Sequence, residues 1–317
     1  MRRREFLFST GTALGISFFP LGWTPAADRP KQKVLYFTRS QSFEHGPVAR
    51  KGGQEAFSEK VLKEMAGRAG FEVVCTKDGR VFDGDLAQFD AFAFYTSGDL
   101  TLPNPKDNDP PMSAEGKRRL LDAVSAGKGF VGFHSATDSF HSPGPRGENS
   151  PQIDPYIAML GGEFISHGPQ QQAALTNTSP KFPGMEGIPE KWRLLEEWYA
   201  LKNFAKDLHV ILVQETEGMV GGEYQRPPFP ATWARKHHNG RVFYTSFGHR
   251  EDIWTNPQVQ QLILGGFAWV MKNVEADVTP NVDRVTPRAN ELPTPQPRAA
   301  KKAGQKRARA DAQQASK

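Results

Sequence analysis

Short apolar segments alternate with helical patterns along the first half of the chain. Four segments are apolar at nearly every position, which predicts buried strands at 34–38, 71–75, 91–95 and 129–133. Between them, helices are predicted by apolar residues at helical spacing, namely Phe57, Val61, Leu62 and Met65 in one helix and Leu120, Leu121 and Val124 in the other. Ser113 is the predicted N-cap of the second helix, and Gly127 is predicted to end it. Strands that are apolar throughout and alternate with helices indicate a parallel sheet covered on both faces.

The second half of the chain is richer in strand patterns. Strands are predicted at 171–176, 193–201, 208–214, 231–235 and 241–246, with few helices between them. A final helix is well marked, with Asn256 as its N-cap and Pro257 at its first position. The sequence therefore predicts one α/β domain over residues 28–275. Its sheet is expected to be doubly wound and mostly parallel, with a β-rich extension in the second half.

The two ends of the chain differ in composition from this domain. Residues 1–27 combine three arginines, a modest apolar run from Phe6 to Trp23 and the small residues Ala26 and Ala27, which are the parts of an export signal. Arg3 to Leu7 resembles a twin-arginine motif, and the run is short and glycine-containing for a membrane anchor. The sequence thus predicts cleavage near Ala27, a periplasmic or cell-envelope location and no stable membrane insertion. Residues 276–317, which are rich in proline, alanine and basic residues, are predicted to form a disordered tail.

Net charge and cysteine content exclude several classes of function. The chain carries +5 overall, but six basic residues against one acid give +5 to residues 301–317 alone. Residues 1–27 carry +2, so residues 28–300 carry −2, which gives no case for a nucleic-acid partner.

The single cysteine, Cys75, excludes a disulfide framework and every CxxC site. We expect it to be a buried, inert thiol on the second strand.

Histidines and carboxylates cluster in the predicted loops that follow strands. In an open parallel sheet, ligands bind beyond the carboxyl ends of the strands, where these loops converge. The residues in such loops are His45, His134, His167, His249, Asp99 and Asp138. We therefore expect these six side chains to meet in one site, with the His134 and His249 side chains within about 12 Å of each other, as one drug-sized pocket requires.

Motifs of other chemistries are absent from the sequence. It contains no GxGxxG after the first strand, no phosphate-binding P-loop, no HExxH and no GxSxG. What remains is an imidazole–carboxylate site, which serves either general acid–base catalysis or a metal with nitrogen and oxygen ligands, such as zinc or manganese.

Roles follow from these positions as hypotheses. His134, Asp138 and Asp99 are the candidate catalytic residues, with Asp138 expected to orient the His134 ring or to share a metal with it. His45, His167 and His249 are candidate metal ligands. Trp198, Tyr199 and Trp233 are candidate sugar-stacking residues, although burial in the core is an equal expectation for the two tryptophans. The sequence leaves the role of His141 open.

Seven segments of the chain resemble the ThuA-like (trehalose utilisation) family of the class I glutamine amidotransferase-like superfamily. They span about residues 32–272 and are found at 42–45, 95–99, 127–138, 161–169, 196–199, 230–233 and 240–249. The resemblance implies a flavodoxin-like sheet. It also implies that the turn after the fourth strand, which holds a nucleophilic cysteine in true amidotransferases, holds His134 here. An imidazole cannot form the thioester that glutamine hydrolysis needs, so this activity is not expected.

The resemblance implies a role in the use of trehalose and related disaccharides, alongside their oxidation to keto-sugars. The first hypothesis is an enzyme that isomerises or cleaves a keto-glycoside by removing a proton next to a carbonyl, with an electrophile or a metal to hold the enolate oxygen. The alternative is a non-catalytic sugar-binding or accessory protein of the cell envelope. A third hypothesis assigns a surface interaction to the basic tail.

Overall fold

The computed structural model describes residues 31–293, so the predicted export signal at residues 1–27 lies outside the described residues. Within them, eleven strands are present: β1 (Lys33–Phe37), β2 (Glu72–Thr76), β3 (Ala91–Phe94), β4 (Gly129–Phe133), β5 (Glu163–His167), β6 (Gln171–Asn177), β7 (Lys191–Glu196), β8 (Tyr199–Lys202), β9 (His209–Gln214), β10 (Phe229–His237) and β11 (Gly240–Thr245). The same range contains six α-helices: α1 (Phe57–Ala69), α2 (Ala114–Ser125), α3 (Pro155–Leu160), α4 (Glu251–Thr255), α5 (Pro257–Val270) and α6 (Val282–Val285). None of these helices has the length and apolar content needed to cross a membrane.

Five strands form the parallel part of a nine-stranded sheet. β2, β1, β3, β4 and β11 are neighbours in this order, and each pairing is parallel. This is the strand order of flavodoxin-like, doubly wound sheets, so the predicted fold class is confirmed. The predicted caps are also confirmed: Ser113 accepts a hydrogen bond from Gly116 N, and Asn256 accepts from Gln258 N and Val259 N. Each such cap contributes about 1 kcal/mol to helix stability.

Side chains of the parallel strands alternate between two cores, one on each face. One face packs against α2 and α3 through Leu35, Phe37, Phe92, Phe94 and Phe130. The other face packs against α1 and α5 through Val34, Tyr36, Ala91, Ala93 and Val131. A buried phenylalanine in such a core is worth about 3–5 kcal/mol relative to alanine. Because both faces are covered, a ligand can reach polar groups of this sheet only at the strand ends.

The second half of the chain extends the sheet with four antiparallel strands. β10, β9, β6 and β7 follow β11 in this order, which confirms the predicted β-rich extension. The prediction of one strand over 193–201 is wrong. β7 ends at Glu196 in the large sheet, whereas β8 begins at Tyr199 and pairs with β5 in a separate two-stranded sheet. Glu197 and Trp198 therefore lie where the chain passes from one sheet to the other.

The segment after α5 packs against the domain. The prediction of a disordered tail over residues 276–317 is therefore wrong for residues 276–293. The Asn281 side chain accepts a hydrogen bond from the backbone of β9 at 2.7 Å, and the buried Arg226 donates to the Ala289 carbonyl. Small apolar side chains of this segment also pack into one of the cores, which a composition dominated by proline and charge conceals. The rest of the predicted tail lies outside the described residues.

Cys75 lies on β2, which is an edge strand, and it is half-buried rather than fully buried as predicted. Burial raises the pKa of its thiol to about 12. The thiol is therefore protonated at neutral pH, which is unfavourable for a nucleophile.

Candidate functional site

His134 is the first residue beyond β4 and opens a short 3-10 turn. Its backbone is left-handed, with φ of 39°, a conformation that costs a non-glycine residue about 1–3 kcal/mol. The hydroxyl groups of Tyr244 and Thr137 donate to the His134 carbonyl at 2.7 and 3.2 Å and so hold this turn. The turn places the imidazole at the carboxyl end of the parallel strands.

The structure brings the four selected histidines together at this edge of the sheet. The ring centres of His45, His134 and His249 lie 5.0 to 5.4 Å from one another. The His167 ring lies further out and stacks on Tyr199 at 5.8 Å, and the Tyr199 ring is 4.1 Å from that of His134. The loops after β1 and β11 thus meet, although they come from opposite ends of the sequence.

Glu197 lies at the centre of these histidines. Its Oε2 is 2.9 Å from His249 Nδ1, 3.5 Å from His134 Nε2 and 4.0 Å from His45 Nε2. Its Oε1 is 3.2 Å from His167 Nδ1. This carboxylate has no role predicted from the sequence, yet all four imidazoles approach it.

Three buried ring nitrogens of this cluster have no aligned hydrogen-bond partner, namely His45 Nδ1, His134 Nε2 and His249 Nδ1. His134 Nδ1 is 2.9 Å from the Ser246 carbonyl oxygen. This oxygen can only accept, so the proton of the neutral ring is on Nδ1 and Nε2 carries a lone pair. A buried polar atom without a partner costs about 1–3 kcal/mol, and three at one place indicate a position for a cation. One donor atom from each of His45, His134, His249 and Glu197 lies within 4.8 Å of the others.

The protonation states of the cluster suit a metal. Burial, with the neighbouring imidazoles His134 and His249, lowers the pKa of His45 to about 2, and burial also lowers the pKa of His134. Burial alone would raise the pKa of Glu197, but the close approach of the His134 and His249 rings holds this pKa well below its usual range. At neutral pH, neutral His45 and His134 rings therefore surround an ionised carboxylate, which is the state that metal binding requires.

His167 differs from the other three histidines. Its Nδ1 lies 2.9 Å from the Gly168 carbonyl oxygen and 3.2 Å from Glu197 Oε1, and both oxygens accept hydrogen bonds. The proton of the neutral ring is therefore on Nδ1, and Nε2 is free to accept a proton. The side chain is 44% exposed, so a substrate can reach it. The cluster of candidate ligands includes Glu197 and the predicted catalytic residue His134, and it does not include the predicted ligand His167.

Glu196 lies behind the cluster and fixes two of its backbone segments. Its Oε1 accepts a hydrogen bond from Glu197 N at 2.8 Å, and its Oε2 accepts from Gly248 N at 3.0 Å. Gly248 has φ of 136°, which favours glycine, and it precedes His249. Burial raises the pKa of Glu196 to about 7. One carboxylate thus positions the residues on both sides of the His249–Glu197 contact.

The carboxylates of the two predicted site aspartates bond to residues outside the histidine cluster. The Asp138 carboxylate lies 2.7 Å from His141 Nε2 and 3.1 Å from Arg146 Nη1, so the prediction that it orients His134 is wrong. The 3-10 turn directs Asp138 away from His134, whose Nδ1 faces a backbone carbonyl instead. Asp99 accepts hydrogen bonds from the backbone and hydroxyl of Thr101, at 3.0 and 2.7 Å, which is a turn-stabilising role.

His141 bridges two carboxylates beside the site. Its Nε2 is 2.7 Å from Asp138 Oδ1, and its Nδ1 is 3.2 Å from Glu163 Oε1. Burial alone would lower the pKa of His141, but the hydrogen bonds to Asp138 and Glu163 raise it. The sequence leaves this residue without a role, and the structure gives it that of a hydrogen-bonded link between the turn after β4 and β5.

The charged form of His141 should stabilise the fold in a pH-dependent way. We expect His141→Asn to lower the free energy of unfolding by about 2 kcal/mol near pH 6. Because the pKa of the folded state is raised, this stabilisation is fully present below the unfolded pKa of about 6.5 and is lost as pH rises through the folded pKa. Urea unfolding of the wild type and the variant from about pH 5 to about pH 9 measures the difference. A difference that grows towards high pH would contradict this expectation.

The tryptophans predicted to stack on sugars belong to the core. Trp198 and Trp233 are fully buried, and their indole nitrogens donate to the carbonyls of Gln171 and Leu160 at 2.9 and 2.8 Å. Their sugar-stacking prediction is wrong because no ligand can reach the rings. Tyr199 is also buried, but its hydroxyl lies 3.1 Å from His45 Nε2, so it belongs to the site as a support of that ring.

A cavity of about 310 Å³ opens beside the cluster and is lined by Gln170, His249, Arg250, Glu251 and Asp252. Its walls are polar and charged. A larger cavity of about 450 Å³ lies away from the histidines, between α3 and residues 203–206, and none of the clustered residues lines it.

Comparisons with known proteins agree with the observed fold. A family model described as trehalose utilisation (ThuA) matches residues 33–270. The structure of a ThuA-like protein from Bacteroides uniformis is similar, with a TM-score of 0.57, 19% identity, and coverage of 78% of this chain and 94% of that one. A ThuA-like protein from Parabacteroides merdae has a TM-score of 0.53 and 20% identity, with coverage of 80% and 95%. No curated protein sequence matches the chain significantly. At these identities, the two structures support the fold alone.

Proposed function

The chain belongs to the ThuA (trehalose utilisation) family, and on that premise we propose that it is an enzyme acting on a sugar or keto-sugar at a divalent-metal centre. The proposed ligands are His45, His134, His249 and Glu197. The observation that carries the proposal is the set of buried imidazole nitrogens that lack an aligned hydrogen-bond partner and lie around an ionised carboxylate.

Three imidazoles and one carboxylate form a donor set that suits zinc or manganese. Zinc binds imidazole nitrogen at about 2.0–2.1 Å and carboxylate oxygen at about 2.0–2.2 Å. Donor atoms within 4.8 Å of one another need only small side-chain adjustments to reach such distances. When bound, the ion would polarise a carbonyl or hydroxyl oxygen of the substrate.

His167 is the proposed acid–base residue. Its Nε2 is free, and the contacts of its Nδ1 with the Gly168 carbonyl and Glu197 hold the ring in the orientation that leaves this nitrogen exposed. It would take the proton from the carbon next to a ketone and hold it while the enolate forms. In an isomerisation the proton of the neighbouring hydroxyl passes to the former carbonyl oxygen, and the carbon-bound proton returns to the former carbonyl carbon, so that the ketone moves by one carbon. In a cleavage the enolate expels the glycosidic oxygen from the next carbon, and that oxygen takes the proton.

Glutamine hydrolysis is not part of the proposal. The resemblance places the superfamily's cysteine nucleophile at the turn after β4, and His134 stands there. Its Nδ1 bonds to a backbone carbonyl, and its Nε2 faces Glu197. An imidazole at this position cannot form the thioester of the amidotransferase reaction.

The test combines metal content with proton exchange. Protein loaded with zinc or manganese is incubated with 3-keto-trehalose in D₂O, and NMR follows the C–H groups next to the ketone. We expect stoichiometric metal after dialysis and deuterium uptake at one of these carbons. Metal-stripped protein is the control and should exchange much more slowly. Tight binding of the sugar with neither metal nor exchange would instead support the non-catalytic sugar-binding protein.

We also propose that the protein is exported through the twin-arginine route. The support is the Arg3-Arg4 pair before a modest apolar run and small residues up to Ala27. We expect Arg3→Lys with Arg4→Lys to leave full-length protein in the cytoplasm. The wild type should begin near Asp28 in the periplasmic fraction, as detected by fractionation and N-terminal sequencing. Full-length wild-type protein in the cytoplasm alone would contradict this.

A further inference from the structure

We propose that Phe43 is the surface on which the sugar ring of the substrate stacks. The inference rests on the proposed function and specifies its substrate class. The substrate would be a pyranoside that offers a ring face of C–H groups to an aromatic ring and a rim of hydroxyl groups to polar side chains.

Phe43 is the exposed aromatic residue next to the candidate metal ligands. It is 59% exposed, and its ring meets that of His45 edge-on, with centres 4.9 Å apart and planes at 84°. The His45 ring is in turn 5.3 Å from that of His249. Tyr95 and Tyr199, which also contact His45, are buried. Of these three aromatic neighbours, Phe43 is therefore the one that a ligand can cover.

The exposure of Phe43 does not come from a loosely held loop. The Ser97 hydroxyl donates to the Phe43 carbonyl at 2.7 Å, and Gln41 N donates to the Ser97 carbonyl at 2.8 Å. The next residue, Glu44, accepts a hydrogen bond at 2.6 Å from the buried Lys77 ammonium group. The loop is thus fastened on both sides of Phe43. A large apolar ring that is exposed to water lacks the favourable free energy of burial. A ligand stacked on the ring would cover it and supply that free energy.

Polar groups suited to sugar hydroxyls lie beside His249, another ring of the cluster. The cavity beside His249 contains Gln170, Arg250 and Asp252. Arg250 donates to Gln170 Oε1 at 2.8 Å and pairs with Asp252 at 2.9 Å, so these groups are held in place. Specific small-molecule sites combine apolar surface with a few fixed polar groups in this way. An apolar ring beside His45 and charged groups beside His249 match the two kinds of surface of a pyranose.

The experiment measures equilibrium binding of α,α-trehalose to the zinc-loaded protein by calorimetry. Trehalose lacks the ketone, so it can occupy the site without the proposed reaction. We expect Phe43→Ala to raise Kd about tenfold, Phe43→Leu to raise it less, and Phe43→Trp to leave it near the wild-type value. The matched control is Val74→Ala, which removes another exposed apolar side chain, 39% exposed, from the edge strand β2. All four variants should keep stoichiometric zinc.

The outcomes separate this inference from the proposed function. Wild-type binding of trehalose with an unchanged Kd in Phe43→Ala would overturn the stacking role and leave the proposed function standing. The same holds if Phe43→Trp weakens binding as much as Phe43→Ala does. Loss of zinc in Phe43→Ala would show that the ring supports His45 rather than the sugar. A wild-type protein that binds neither trehalose nor 3-keto-trehalose would overturn both proposals.

Discussion

Replacing Glu197 with glutamine is expected to remove the metal and to lower kcat/KM for the keto-sugar about a thousandfold. A bound metal supplies several kcal/mol of transition-state stabilisation, and a loss of about 4 kcal/mol corresponds to this factor. The amide keeps the size of the side chain but removes its negative charge. Among the three histidine ligands that remain, His45 and His134 are neutral, because burial lowers the pKa of each ring. The charge of a divalent ion would then be uncompensated in a buried site. Metal analysis after dialysis and turnover followed by NMR measure the two effects.

The control for this experiment is Glu217→Gln, which removes an exposed carboxylate from the connection between β9 and β10 and outside the ligand cluster. It should keep both the metal and the activity. Thermal unfolding of each variant shows whether the domain remains folded. Full metal occupancy with wild-type turnover in Glu197→Gln would exclude Glu197 as a ligand and with it the proposed centre.

The positions of the histidines could be predicted because they depend on topology alone. Each apolar run of the first half is long enough for a strand, and the helices between them make the connections parallel. A residue just past such a run must then lie at the common edge of the sheet. His45 and His134 follow β1 and β4, and His249 follows β11, whose place beside β4 completes the edge.

Glu197 could not be placed in the same way because it lies inside an apparently continuous strand pattern. Apart from two glutamates, every residue from Leu194 to Leu201 is apolar, and no glycine or proline marks the passage of the chain from β7 to β8. The available signal was the pair of adjacent acids, Glu196 and Glu197, in a segment that otherwise reads as buried. Two carboxylates in such a segment need partners, and the partners are histidines distant in sequence.

Other site predictions failed where the direction of a side chain mattered. Trp233 lies on a strand with both faces covered, so either direction buries it. Asp138 is four residues past His134, but the 3-10 turn between them directs its carboxylate to His141. Local sequence spacing predicts which loop a residue occupies, and it does not determine which way a short turn points that residue.

The second large effect is expected at His167, where replacement by glutamine should lower kcat by about 10²–10⁴-fold, the range typical of a lost acid–base group. The reason is that Nε2 of His167 is free on a side chain that is 44% exposed, whereas the His45 and His134 rings are buried and His249 Nδ1 faces Glu197. Deuterium exchange next to the ketone should slow by the same factor as turnover.

Metal content decides between this role and the metal-ligand role that the sequence analysis gives to His167. In a proton-transfer role, His167→Gln keeps stoichiometric metal and wild-type affinity for trehalose, because the donor atoms of His45, His134, His249 and Glu197 form the cluster without it. In a ligand role, the variant loses metal and activity together. His238→Gln, at an exposed hairpin position, controls for the loss of a histidine. Unchanged exchange in His167→Gln would exclude both roles. Slow exchange with the metal retained would assign the proton transfer to this ring, because the substitution leaves the ligand cluster intact.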